Sequence, residues 1–199
     1  MKKTNMQTKR EAQQKKQSRQ KLFLYGGLGL AVLAVIAVIL LVNNQSSTAR
    51  GPIGDVVAIP SRDHVPLGTL PGPYNSNPPA GGSHYEEDFS EKFYQESELA
   101  SLPKYPQGYL VHSLEHGYVI FWYNCQVTGT DCSALKQTIQ QVMDATGGTK
   151  LIAFPWSDMT VPLAMTSWGR ILKFDKPDAA LMKEFVLRNR YQAPEPDAP

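Results

Sequence analysis

Histidine and cysteine are scarce in this chain: of 199 residues, four are His and two are Cys. Cys125 and Cys132 are spaced neither as CxxC nor as a zinc knuckle, which argues against a thiol redox motif or a thiolate metal site. No glycine-rich loop follows a strand and opens a helix. Gly81-Gly82 lies among prolines instead, which removes a phosphate cradle of the nucleotide-binding kind. EF-hand spacing is missing, so Glu86-Glu87-Asp88 reads as a solvated acidic turn. Ser83-His84 and Ser113 have no nucleophile-elbow context, which argues against a Ser-His-Asp hydrolase. There are no internal repeats.

Long hydrophobic runs are also few, and the clearest is Leu22 to Val42, which carries no charge. Its 21 residues would span about 31 Å as a helix, roughly one hydrocarbon core. A cleaved signal peptide would have a shorter apolar region, and although Ser47-Thr48-Ala49 has the small residues a cleavage site needs, run length favours an uncleaved anchor. Residues 1–21 hold eight Lys/Arg against the single acid Glu11, a net +7, while the rest of the chain is net −5. No basic residue follows the run until Arg50. The positive-inside rule then places residues 1–21 in the cytoplasm, residues 22–42 in the membrane and the remainder outside. The basic tail lacks interleaved aromatics and abuts the apolar run, so contact with anionic lipid explains it better than nucleic acid does. The acidic remainder argues against nucleic-acid binding as well. The expected partners are the lipid bilayer, through residues 22–42, and a membrane protein. The two cysteines would lie outside, where a small Cys125–Cys132 disulfide loop is expected.

Residues 43–54 read as a linker. Prolines and glycines crowd the stretch up to Gly108, and Val56, Val57, Ile59, Val65, Leu67, Leu70, Tyr74 and Tyr85 anchor it as an ordered wrapping segment rather than a helical one. Residues 86–100 are acidic and have room for a short helix. Tyr109–Leu114 and Tyr118–Tyr123 are rich in β-branched and aromatic residues, so the expectation is a hairpin across Glu115-His116-Gly117, with Gly117 at positive φ. Helical periodicity runs over 133–146 and stops at Gly147-Gly148. Strands are expected at 150–155 and at 163–174, the latter bent at Gly169. A final helix opens at Pro177 with Asp175 as its cap, and the proline-rich tail after it reads as a terminus without a core. The expected fold class is α+β: a single transmembrane helix followed by a compact ββαββα domain over residues 55–195.

All four histidines, His64, His84, His112 and His116, sit in the proline- and aromatic-rich part of the chain. The densest cluster is His112-Ser113-Leu114-Glu115-His116-Gly117. Imidazole is both the commonest metal ligand and the commonest acid or base near neutral pH. Three readings follow. HxxEH formally fits an inverted zinc hydrolase motif, with Glu115 activating a metal-bound water. That chemistry needs a helix, whereas in a straight strand His112 and His116 would be about 13 Å apart. The second reading is a non-catalytic module for Zn or Cu, with His84, His112 and His116 as ligands and His64 as a fourth. Glu115 or Asp63 would orient an imidazole by hydrogen bonding, and Met159 and Met165 are the softer candidates. The third is a metal-free recognition or assembly domain in which the histidines, Trp168 and Arg170 are structural.

Several stretches together resemble the bacterial domain family DUF3105. They are Asp63-His64-Val65-Pro66, Tyr74–Pro79 with Gly82-Ser83-His84-Tyr85, Leu110–Gly117, and Leu163–Arg170 with its Thr166-Ser167-Trp168-Gly169-Arg170, followed by a closing helix near Phe185. Ala80-Gly81 and Met165-Thr166-Ser167 depart from the family pattern, and neither departure removes a histidine. The resemblance implies one exported domain over roughly residues 55–195 and carries no activity with it. It does place all four histidines inside matching motifs, which favours the metal-binding module.

Overall fold

The computed structural model describes residues 34–38 and 51–198. The chain divides into two units, Met1–Ser46 and Ser47–Pro199. In the first, residues 34–38 are helical and exposed, and the rest of the expected spanning run 22–42 lies outside the described residues. Among the described residues no helix is long and apolar enough to cross a membrane.

The second unit is an α+β domain built on a five-stranded mixed sheet. Its strands are β1 (Asp55–Val56), β2 (Val119–Tyr123), β3 (Leu151–Pro155), β4 (Leu163–Ser167) and β5 (Arg170–Phe174), in the spatial order β1-β5-β4-β2-β3. β2 and β3 are parallel and the other pairs antiparallel. Three α-helices complete the domain: α1 (Pro106–Glu115), α2 (Cys132–Ala145) and α3 (Ala179–Asn189). A 3-10 helix covers Glu96–Ser101.

Every residue of β2 is buried because both faces of the sheet are covered. Side chains alternate along a strand, so Val119, Phe121 and Tyr123 point to one face and Ile120 and Trp122 to the other. The first face packs on Leu135, Ile139, Val142 and Met143 of α2 and on Met182, Phe185 and Val186 of α3. The second packs on Leu110 and Leu114 of α1 and on Tyr85, Phe89 and Tyr94 of the wrapping segment. The wrapping segment is therefore ordered, and its aromatics help to build the core on the second face.

The expected hairpin at 109–123 is corrected: residues 106–115 are a helix, and only the second of the two runs is a strand. Pro106 sits in the first helical turn, where its missing N–H leaves no bond broken. Every residue from Gly108 to Glu115 is buried, so the run shows no polar face to mark a helical period, and a short apolar run of that kind reads equally as a strand. Gly108 lets the helix press on the wrapping segment, since a Cβ there would lie 2.5 Å from the Tyr85 ring. Gly117 does have positive φ (85°), but as the residue that ends α1. Its N–H donates to the Leu114 carbonyl (3.0 Å) and that of Tyr118 to Ser113 (3.1 Å), the paired bonds of a Schellman stop.

Three further expectations are corrected. The run 163–174 is two strands, and Ser167 pairs with Arg170 across a tight Trp168-Gly169 turn with Gly169 at φ 70°. The cap of α3 is Asp178, whose carboxylate accepts from the N–H groups of Ala180 and Leu181, rather than Asp175. The observed order is βαβαβββα in place of ββαββα. Cys125 and Cys132 are disulfide-bonded at the start of α2, whose N-cap Asp131 accepts from Ala134 N–H.

The C-terminal tail, expected to lack a core, is docked. Tyr191 N–H donates to Gly117 O (2.9 Å) and Glu195 N–H to Glu115 O (3.0 Å). The buried Lys150 ammonium donates to the carbonyls of His116 (2.8 Å), Pro196 (3.0 Å) and Ala198 (2.6 Å). This strap lies against the end of α1 that carries the HSLEH motif.

Candidate metal centre

Two elements build the site. The last turn of α1 carries His112 and Glu115, with His116 as its C-cap, and helical spacing puts residues three apart on one face. The wrapping segment contributes His64 and His84. Val65 N–H donates to the His84 carbonyl (2.7 Å) and His84 N–H to the Asp63 carbonyl (3.1 Å), a short parallel bridge that sets the two histidines side by side. Their rings meet edge-on with centroids 4.7 Å apart, and each lies 5.3 Å from the His112 ring.

One ligand atom from each of His64, His84, His112 and Glu115 falls within 4.8 Å of all the others. His84, His112 and Glu115 are buried, while the His64 side chain is 46% exposed. A second group of this kind, Glu96 with Cys125 and Cys132, has its two sulfurs joined to each other and offers no thiolate.

His84 is held by both ring nitrogens. Nδ1 lies 2.7 Å from the Gly82 carbonyl, and because a carbonyl only accepts, Nδ1 carries the hydrogen. Gly82 aims that carbonyl from φ 141°, with the Tyr74 ring 2.7 Å from where a Cβ would be. A neutral His84 then presents its Nε2 lone pair to Glu115 Oε2, 2.8 Å away. Two acceptors at that distance need a shared proton or a cation between them. An imidazole whose far N–H is fixed by a backbone carbonyl is the usual support of a metal-bound histidine.

His112 Nδ1 is buried with no hydrogen-bond partner, and it is the one such side-chain atom among the described residues. Burial, and after it the neighbouring His116, His84 and His64, lowers the His112 pKa to about 4. The ring is therefore neutral at physiological pH, and a neutral imidazole has a lone pair free for a ligand. An unpaired buried polar atom costs free energy, and such atoms in folded proteins commonly mark an ion or water.

The fit to an ion can be put in distances. Tetrahedral bonds of about 2.0–2.1 Å separate ligand atoms by roughly 3.4 Å. The 2.8 Å His84–Glu115 contact would open slightly and the widest pair, within 4.8 Å, would close. Both changes are on the order of 1 Å, so the residues could hold a transition ion.

The other candidate residues lie around this centre. His116, also expected as a ligand, packs on the His112 ring (4.3 Å) and has Nε2 3.6 Å from Glu195, and it is not among the four residues whose ligand atoms lie within 4.8 Å of one another. Glu115, expected as a support for an imidazole, also offers a carboxylate oxygen within 4.8 Å of the ligand atoms of His64, His84 and His112. Asp63 takes a hydrogen bond from Ser61 within its own loop, and it is its backbone carbonyl that touches His84. The Trp168 ring meets His84 edge-on at 6.1 Å, and the Arg62 guanidinium lies 5.9 Å over Trp168. Arg170 donates to the Gly54 carbonyl (3.3 Å) and so ties β5 to the chain beside β1. Met165 fills the core on the opposite face of the sheet, and Met159 packs at the edge of the near one. Sequence reasoning did not single out the Gly82 carbonyl or Lys150. The positive-φ glycine two residues before His84 is the only trace of the first, and the second left none.

The profile of the family described as "Protein of unknown function (DUF3105)" matches residues 71–199. The chain belongs to that family. Three of the four ligand-group residues, His84, His112 and Glu115, lie within the DUF3105 match, while His64 and Asp63 precede it. No curated protein and no solved structure matches the chain.

Proposed function

We propose that this DUF3105 domain is a binding module for a divalent transition metal, zinc or copper, held by His84, His112 and Glu115 with His64 as the fourth ligand. The observation that carries the reading is the unpartnered, buried Nδ1 of His112, set among two other imidazoles and a carboxylate. Neutral imidazole suits both ions, and a carboxylate favours the divalent state. A metal takes its imidazole and carboxylate ligands in their deprotonated forms, so binding weakens as the pH falls. The placement we propose is an extracytoplasmic one behind an N-terminal membrane anchor. It rests on the basic segment 1–21, the apolar run 22–42 and the Cys125–Cys132 disulfide.

Hydrolysis is the weaker reading. The helix restores the spacing that HxxEH needs, with His112 and His116 one turn apart. Glu115, however, is buried against His84, a position among the ligands rather than beside an attacking water.

The test is the metal content of the full-length chain, purified without a histidine tag and compared with His84→Ala and His112→Ala. About one ion per chain is expected, lost in both variants while circular dichroism shows the fold retained. A folded wild-type chain that takes up no Zn²⁺, Cu²⁺ or Cu⁺ would sink the reading.

A further inference from the structure

The ligand groups differ in accessibility, and the difference has a direction. His84, His112 and Glu115 are enclosed, whereas His64 is half in solvent. The His64 ring also lines a surface groove shared with Val65, Pro66, Leu67, Glu86 and Glu87. Glu86 and Glu87 follow directly after His84-Tyr85 and are both exposed. Trp168 meets His84 edge-on, and the Arg62 guanidinium sits over Trp168 and not in the groove lining. The groove that His64 lines thus carries two exposed carboxylates and no lysine or arginine.

We infer that this groove is the route by which the metal ion reaches and leaves the centre, with Glu86 and Glu87 collecting the cation and His64 acting as the exchangeable ligand. The inference rests on the metal-binding reading and adds what the site does with its ion. Four protein ligands fill the coordination sphere of a zinc site, so exchange of the ion requires one of them to leave. Here one ligand of four faces solvent, on a segment tied to His84 by two backbone hydrogen bonds rather than by a helix or a full strand ladder. Segments with so few bonds open locally at low free-energy cost. When His64 swings out, its bond to the ion breaks as a bond to an incoming donor forms. No electron moves, and the ion keeps its charge. On this reading the domain exchanges its ion with an outside donor and does not lock it away.

The test uses the full-length chain with Zn²⁺ as the probe and two readouts. One is the rate of Zn²⁺ uptake, and the other is the rate of Zn²⁺ transfer from loaded protein to a chromophoric chelator. Glu86→Gln/Glu87→Gln should keep wild-type stoichiometry but take up Zn²⁺ several-fold more slowly at about 0.01 M ionic strength. The difference should collapse near 1 M, where the screening length is about 3 Å. Asp144→Asn/Glu184→Gln removes the same charge from α2 and α3 and should leave uptake unchanged. His64→Ala should still bind through His84, His112 and Glu115, and should release Zn²⁺ to the chelator several-fold faster. If it no longer binds at all, the Glu86/Glu87 uptake rates decide. Wild-type stoichiometry with unchanged uptake in the Glu86/Glu87 variant would overturn the route and leave the metal module standing. A wild-type chain that takes up no Zn²⁺ would overturn both.

Discussion

At His112, burial and three neighbouring imidazoles hold the ring neutral, with a folded pKa of about 4 against an ordinary 6.5. As the pH falls below 6.5 the unfolded chain takes up this proton before the folded one does. Stability from this group is therefore complete above about pH 6.5 and declines down to about pH 4. In chelator-treated protein, denaturant midpoints measured across that range should fall more steeply for wild type than for His112→Asn. Equal slopes would mean the ring is not held neutral. Gly117 is a second residue with a defined cost. Its φ of 85° disfavours a side chain, and a Cβ would lie 2.8 Å from the Tyr191 Cα, which is backbone and cannot swing away. Gly117→Ala should destabilise by about 2 kcal/mol or more, read from urea unfolding. A change of only a few tenths would refute that packing. Histidine identity and spacing were legible as chemistry, but which imidazoles converge was not. His116, the nearest in sequence to His112 and Glu115, stands outside the ligand group, while His64, some fifty residues upstream, stands in it.

α1 is the element on which the centre depends, and it is also where the sequence reads wrongly. Tyr-Leu-Val-His-Ser-Leu has strand-like composition, and a helix buried nearly all round leaves no period to correct the impression. α2 and α3 were legible because each keeps a solvent face that leaves its apolar period visible, although the cap of α3 is Asp178 and not the Asp175 the sequence suggested. The end of α1 is further braced by the C-terminal strap through Lys150. Lys150→Met would leave three carbonyls without their charged donor and should cost about 2–4 kcal/mol. Hydrogen exchange should then quicken at residues 113–118, the stretch that carries Glu115. Unchanged exchange there would show that the strap does not support α1.

For the whole molecule, the charge asymmetry around residues 22–42 carries a topological expectation: an alkaline phosphatase fused after residue 199 should be active, and one fused within residues 1–21 should not. The opposite pattern would invert the orientation and with it the proposed extracytoplasmic site. What the sequence determined by itself was local. Composition and run length set the apolar segment, the charge bias and the α+β class. Glycines, prolines and periodicity set most strands and two of the three α-helices, because these depend on neighbours along the chain. Only the tertiary structure decided the rest. The wrapping segment could be assigned its place only once the second face of β2 needed covering, and α1 could be recognised only once burial on all sides explained its lack of a polar face. The histidine–glutamate cluster was assembled in the same way. It joins residues 64, 84, 112 and 115 from two elements, and hydrogen bonds between segments distant in sequence, rather than any motif, bring four donors within 4.8 Å of one another.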